Sequence, residues 1–401
     1  MARLSKEELD KIKKKYNVST LYSWSRISCF LTSPYEYFLK YVLHKKEDVD
    51  NCAYAPIGGI CHNIIEDFYN GKIKYDDMIR EFEDGWMTAI DLADLKFDRN
   101  DEVKNGTIKN KYKQNIEHFF KNHNVIKHKT ALEKFVTTQI GSNVLQGYID
   151  CCFKDDDGNY NIVDWKTSTK YSGKTAEEKC GQLVVYAIGM SQMGVPMENI
   201  RICWNFLKYC TVQYEQKNGA VKTRDVERYK LGESLQTNCR MWLKALGYED
   251  EADDYLKLLI DTNSLDVLPD DVKAKYVVSD CYVYVPLTDK LIDKWTDTVT
   301  STILDINMRE KDYEETHSDK CWWDTEESVK SESYYLATLC GYSANLHKPY
   351  AQYLDKLEAQ KNGQDMFGGI LGGSENTTVT SKDICDNNKQ DDDLSWLDEL
   401  V

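Results

Sequence analysis

The chain has 401 residues, 41% of them hydrophobic and 29% charged, an ordinary balance for a globular protein with room for one large or two modest domains. A formal net charge of −16 argues against a protein that coats nucleic acid non-specifically, because phosphate contacts need clustered Lys and Arg, but it does not exclude a nuclease. No apolar run is long enough to span a membrane, the N-terminus lacks the apolar core of a signal peptide, and 13 irregularly spaced cysteines do not read as a secreted disulfide framework, so a reducing cytoplasm is expected.

Residues 1–48 read as helical. The stretch 6–16 is charged and amphipathic, Ser23 or Ser25 caps a second helix, and Ser33 before Pro34 marks a third. The aromatic residues Tyr35, Tyr37, Phe38 and Tyr41 read as packing. Gly58-Gly59 precedes a helix over 60–69 with His62 and Glu66 one turn apart on one face. Helices are expected over 76–95 and 108–124. From Lys134 the period changes to two, and 135–140, 144–153 and 160–167 read as a β-meander with turns at 141–143 and 155–158. A helix over 175–193 is followed by strands at 200–207 and 211–216, read as a hairpin. Residues 222–275 read as charged and helical, 276–287 as a short apolar strand region and 291–309 as a helix. The composition then shifts. Residues 363–381 are rich in Gly and small polar residues, and 374–401 hold eight acids against Lys382 and Lys389, so 363–401 is expected to be a disordered acidic tail.

The chemistry is carried by Gly147-Tyr148-Ile149-Asp150 and, 14 residues after that aspartate, by Asp164-Trp165-Lys166-Thr167. Residues i and i+2 of a strand share a face, so Asp164 and Lys166 project together beside Asp150 of the neighbouring strand. Carboxylate oxygens are natural ligands of hard divalent cations, and a lysine beside them can steer water. That is the minimal kit for hydrolysing a phosphodiester. A lone histidine on an apolar helix, an Asp-x-Lys triplet or a Gln-x-x-x-Tyr pair is each common by itself. What carries weight is their order: His62 on a helix, Asp150 and then Asp164-x-Lys166 on strands, and Gln182-x-x-x-Tyr186 on a helix.

That order, with the Ser-rich opening and Pro-Tyr helix of 24–41, resembles the PD-(D/E)XK nuclease superfamily and within it the RecB-like, AddB-like exonuclease branch, over 21–215. The resemblance implies an α/β fold with a restriction-endonuclease-like core, a central mixed sheet flanked by helices, and helical additions at both ends. It divides the chain into an N-terminal helical region carrying the motif histidine (1–130), the nuclease core (131–220), a helical region packing on the core (221–362) and the acidic tail (363–401). It implies Mg²⁺ or Mn²⁺ held by His62, Asp150, Asp164 and the backbone carbonyl of Trp165, with Lys166 assisting the attacking water. Glu133, expected just before the first strand, is a further acid of the site. Gln182 and Tyr186 are expected to shape the site and touch the DNA backbone.

Some RecB-like nucleases hold an iron–sulfur cluster through one cysteine before a proline-started helix and three near the C-terminal end. Here Ser33 precedes Pro34, Asp324 stands where Cys321 would be followed by its second thiol, and Cys340 lies alone. Cys29 is the one substitute, a turn earlier. A cluster needs four thiolates, so none is expected, and Cys321 and Cys340 read as packed thiols. There is no Gly-x-x-x-x-Gly-Lys-Ser/Thr loop, so the substrate must offer DNA ends or single strands, or a partner must unwind it. Residues 391–401, with Leu394, Trp396, Leu397 and Leu400 among acids, read either as a solubilising terminus or as a peptide for a groove on a sliding clamp, a single-strand-binding protein or another replisome protein. The function expected is a metal-dependent DNA exonuclease of replication, recombination or repair. Its stand-alone size points to a bacteriophage and thus to a host cytoplasm. Two alternatives stay open: a catalytically quiet DNA-end-binding scaffold recruited through the tail, and a CRISPR-adaptation or RNA-processing nuclease.

Overall fold

A computed structural model describes residues 4–49 and 52–371. The first helix, α1 (Lys6–Tyr16), starts at a capping box in which Ser5 and Glu8 satisfy each other's backbone N–H groups, and ends at Asn17 in the left-handed region. A short strand, β1 (Tyr22–Ser23), leads into α2 (Trp24–Thr32), whose N-cap is Ser23, and then into α3 (Pro34–Tyr37), where Ser33 caps and Pro34 opens the first turn. Helices α4 (Tyr54–Tyr69), α5 (Asp77–Trp86) and α6 (Glu102–Asn122) follow. The expected helix 60–69 thus begins earlier, at Tyr54, and takes both glycines into its body.

The core is one seven-stranded mixed sheet. Its first strands are β2 (Thr130–Ile140), β3 (Asn143–Lys154) and β4 (Tyr160–Lys166). The chain then forms α7 (Lys174–Lys179) and α8 (Gly181–Gln192), two helices where one was expected. They are separated at Cys180, and an added Cβ on Gly181 would lie 2.0 Å from the Trp24 ring and 2.7 Å from Trp295. The close approach of two tryptophans fixes that glycine. Strand β5 (Ile200–Glu215) is continuous, which corrects the hairpin expected over 200–216. No turn-forming residue interrupts Lys208-Tyr209-Cys210, and a register shift against the neighbouring strand between Asn205 and Cys210 absorbs the irregularity instead. Residues 221–227 are strand β6 (Val221–Glu227), which corrects the reading of 222–275 as wholly helical. Helices α9 (Leu231–Ala245), α10 (Ala252–Thr262) and α11 (Asp270–Lys273) and strand β7 (Tyr276–Val285) come next.

Topology explains where the sheet opens. Along one edge β3 pairs with β2 from Phe153 back to Asn143. Along its other edge it pairs with β1 only at Leu145 and Gln146, in parallel, and with β4 only from Cys151 to Lys154, antiparallel. Residues 147–150 lie in the fork between these two partners. Beyond it, β4 continues beside β5 in parallel as far as Lys166.

Strand β3 is also offset at the fork. An added Cβ on Gly147 would meet the Tyr186 ring of α8 at 2.5 Å, and Cys152 Sγ lies 3.9 Å from Met190 Sδ of the same helix. Residues an odd number apart face opposite sides of a regular strand, so the alternation slips between Gly147 and Cys152. Directly across, Glu133 of β2 has φ 47°, a left-handed conformation unusual for a residue with a side chain.

Two apolar cores result. The larger spans both faces of the sheet around α2–α6 and α8, and takes in α12 (Asp289–Thr316), α13 (Glu326–Ser331) and α14 (Ser333–Thr338). The smaller packs α9–α11 on the far ends of β5, β6 and β7 through Val212, Leu235, Leu243, Leu256 and Leu259. Between them lies a buried ionic knot. Asp280 of β7 accepts from Arg228 and, at 2.7 Å, pairs with His123 at the end of α6. The last described helix is α15 (Lys348–Leu371), so residues 363–371, expected in the tail, are helical, while the recruitment peptide 391–401 lies outside the described residues. Among the described residues no helix is long and apolar enough to cross a membrane.

A second buried knot ties the beginning of the fold to its end. The Ser33 hydroxyl caps α3, lies 3.1 Å from Asp324 Oδ2 and 3.0 Å from His347 Nε2. Tyr350 N–H donates to His347 Nδ1, so Nε2 carries the ring proton, Ser33 accepts it, and the Ser33 hydroxyl proton goes to Asp324. Nearby, the Tyr335 hydroxyl donates to the buried Glu36 carboxyl.

Two outcomes follow from these knots, with an exposed ion pair as the contrast to the first. Asp280→Ala leaves the Arg228 guanidinium buried without its counter-charge and should lower stability by about 3–5 kcal/mol, read as a fall in the urea midpoint. Arg240→Ala, at the exposed Arg240–Asp253 pair, should cost about 1 kcal/mol or less in the same assay. For Glu36, burial pushes the carboxyl from its ordinary 4.5 up to about 7, against the opposing pulls of Tyr335 and Lys40. The folded state therefore binds this proton more tightly than the unfolded one, and Glu36 weakens the fold as pH rises from 4.5 to about 7. Melting curves at acid and alkaline pH should show Glu36→Gln gaining on the wild type as pH rises through that window. An unchanged difference would sink this account of Glu36.

Candidate metal centre

The fork holds the acids. Asp150 lies where β3 has no partner on its β1/β4 edge, Asp164 on β4 beside it, and Glu133 on β2 across from it, inside the strand rather than before it as the sequence suggested. The left-handed turn of Glu133 redirects its side chain, so that His62, Glu133 and Asp150 bring one ligand atom each within 4.8 Å of one another, the one such group of His, Cys, Asp and Glu among the described residues.

Trp165 holds the histidine and the aspartate in place. His62 Nε2 is 2.8 Å from the Trp165 carbonyl, and because a carbonyl only accepts, Nε2 carries the proton. Trp165 N–H donates to Asp150 Oδ2 at 3.3 Å. On the other side of the backbone the indole stacks on Tyr69, one face of α4 further along from His62, with ring centroids 6.2 Å apart and 16° between planes. The middle residue of Asp-Trp-Lys thereby docks α4 against β4.

His62 Nδ1, bare of a proton, lies 3.5 Å from Asp150 Oδ2. Burial pushes the imidazole below its ordinary value, so the ring is neutral at pH 7. Burial and then the Asp164 carboxylate push the Asp150 carboxyl well above its ordinary value, and Lys166 offsets this only in part. Asp164 Oδ2 is buried, and apart from its 3.0 Å ion pair with Lys166 Nζ it has no hydrogen bond. A neutral imidazole nitrogen and clustered carboxyl oxygens, one of them held by a lysine, are a donor set suited to a divalent cation.

The remaining predicted residues sit behind this group. Tyr186 is 6% exposed, its ring occupying the space over Gly147 and its hydroxyl accepting from Gln182 Nε2 at 3.1 Å. Gln182 is half-buried. A glycine inside a strand pattern signals such a close approach, and that signal was present at Gly147. Cys29 and Cys340 are buried and Cys321 half-buried, while Ser33 and Asp324 belong to the hydrogen-bonded knot with His347. A separate cavity of about 180 Å³, lined by Trp24, Ser28, Trp295 and Tyr335 among others, includes neither His62 nor Glu133, Asp150 or Asp164.

Comparison with curated proteins gives no match. The family model of the PD-(D/E)XK nuclease superfamily, however, matches residues 22–323, from β1 past the end of α12, and so contains the fork and every residue grouped around it. The chain belongs to the PD-(D/E)XK nuclease superfamily.

Proposed function

We propose that this protein is a metal-dependent exodeoxyribonuclease of the RecB-like branch, acting on DNA ends or single strands during replication, recombination or repair. The observation that carries this reading is the convergence of His62, Glu133 and Asp150 beside the Asp164–Lys166 pair. The exonuclease branch is supported by the order of the motif residues, and action in the cytoplasm by the reduced, mostly buried thiols.

In this reading His62, Glu133, Asp150 and Asp164 would hold the cation; the Trp165 carbonyl, which accepts from His62 Nε2 on the side of the ring away from Nδ1, would join them only if the imidazole bound through Nε2 instead. A divalent cation held there supplies a water of lowered pKa and positive charge for the scissile phosphate. The imidazole makes Mn²⁺ a competent alternative to Mg²⁺. Lys166, buried and 3.0 Å from Asp164, would set its ammonium beside the group, where it would orient the attacking water and offset charge gained by the phosphate oxygens. Trp165 holds His62 in one tautomer through its carbonyl and Asp150 in one rotamer through its N–H. Tyr186 keeps Gly147 and the fork in register from beneath, and Gln182 is the half-exposed member of that pair, available to a DNA phosphate.

The test is degradation of end-labelled linear, circular and single-stranded DNA in Mg²⁺, Mn²⁺ or EDTA. Metal-dependent loss of linear but not circular DNA is expected. Lys166→Ala should lower turnover by about 100- to 1,000-fold while the protein still binds Mn²⁺, because the ammonium acts mainly on the transition state. Asp164→Ala should lose both. Wild-type rates from Lys166→Ala would remove Lys166 from the chemistry, and cleavage undiminished in EDTA would remove the metal.

A further inference from the structure

Phe135 and Tyr148 form a pair that the site described above does not use. They are register partners on β2 and β3, next along the ribbon from Glu133 and Asp150, with ring centroids 5.3 Å apart at 65°. Both are half-exposed, and neither belongs to the apolar cores or to the residues packed against them. Single exposed rings are ordinary, but two in contact make an apolar patch that a flat ligand can cover.

Their side of the sheet is fixed by contacts. Helix α8 lies against Gly147, Val136 and Thr138, so Tyr148, Phe135 and Thr137, which alternate with them, point the other way. Cys152 also meets α8, so its neighbour Cys151 and that residue's partner Val163 face away, as does Trp165, on which α4 stacks through Tyr69. The aromatic pair and the helix that supplies His62 therefore share one side of the sheet, while Asp164 and Lys166, which alternate with Val163 and Trp165, face α8 and meet His62 and Asp150 across the fork.

Over the pair runs α1, none of whose residues is buried. Two hydrogen bonds tie it down: Leu4 N–H donates to the Tyr148 hydroxyl at 2.8 Å, and the Tyr16 hydroxyl lies 3.2 Å from Thr137 Oγ1. Its last turn carries Lys13, Lys14 and Lys15, a local positive charge in a chain whose net charge is −16.

We propose that Phe135 and Tyr148 are a stacking platform for the bases of a single strand entering the metal centre, with α1 strapping the strand and its lysines meeting the phosphates. The proposal rests on the nuclease reading and names what that site takes: single-stranded nucleic acid rather than intact duplex. Two residues of strand span about 6.8 Å, so a base on this platform belongs to a nucleotide next to the one at the acids. Aromatic stacking tolerates any base, which suits an enzyme that must pass along every sequence.

Binding of fluorescein-labelled oligothymidylate, followed by anisotropy in Ca²⁺ at fixed salt, tests it. Phe135→Ala and Tyr148→Ala should each weaken binding on the order of tenfold or more. Tyr148→Phe, which keeps the ring and drops the hydroxyl that holds Leu4, should bind within about twofold of the wild type. An abasic nucleotide stepped along the strand should weaken the wild type at one position and have no further effect there on Tyr148→Ala. If Tyr148→Ala binds like a wild type that itself binds and cleaves, the platform is wrong and the nuclease reading stands. Equal damage from Tyr148→Phe and Tyr148→Ala would assign the effect to the α1 tie and likewise overturn the platform. A wild type that neither binds nor cleaves DNA would overturn both.

Discussion

The slip in β3 between Gly147 and Cys152 is the constraint on which the site depends. Here the pairing partner changes from β1 to β4 across that stretch, and the backbone of Asp150 is left in the gap. Glu133 takes a left-handed conformation opposite it, at a cost on the order of 1–3 kcal/mol for a residue with a side chain. The neighbouring ladder of β2 and β3 is long enough to hold that conformation. The gain is access: helices on opposite faces, α4 with His62 and α8 with Tyr186, both reach one point.

Trp165 converts this opening into a fixed geometry. Its backbone faces the acids and its indole faces α4, so a single residue sets the distance between strand and helix and the rotation of the imidazole. Catalytic constellations lose function when their supports shift by about an ångström. A large, stacked, buried ring is a stiffer spacer than an aliphatic side chain, because its two rotatable bonds are both fixed by packing.

Much of this was legible in the sequence, for identifiable reasons. Period-two hydrophobicity marked β2 to β4, and the two-residue spacing of Asp164 and Lys166 set them on one side, where the structure has their charges 3.0 Å apart. Ser33-Pro34 gave its helix start by capping chemistry alone. What local pattern could not carry was anything decided by a partner distant in sequence. The continuity of β5 depends on β4, β6 and β7 pairing along both edges, and the strand character of β6, mostly exposed and charged, comes from its ladder with β5 rather than from its own residues. Glu133 was expected outside the strand because its left-handed backbone breaks the alternation that reveals strands. The knot of Ser33, Asp324 and His347 joins three residues that no spacing rule connects.

That knot bears on when the protein can be finished. His62 and Trp165 meet across 103 residues, but Ser33 and His347 meet across 314, and Glu36 and Tyr335 across 299. A chain emerging from the ribosome can assemble the fork and its acids from sequence already made, whereas Ser33 and Glu36, at the cap and in the body of α3, wait for partners that arrive only with the last third. Contacts of such separation are slow to form, and the surfaces awaiting them are open to wrong partners in the meantime. The order of synthesis therefore gives the strands that carry the acids a head start over the wall that encloses them.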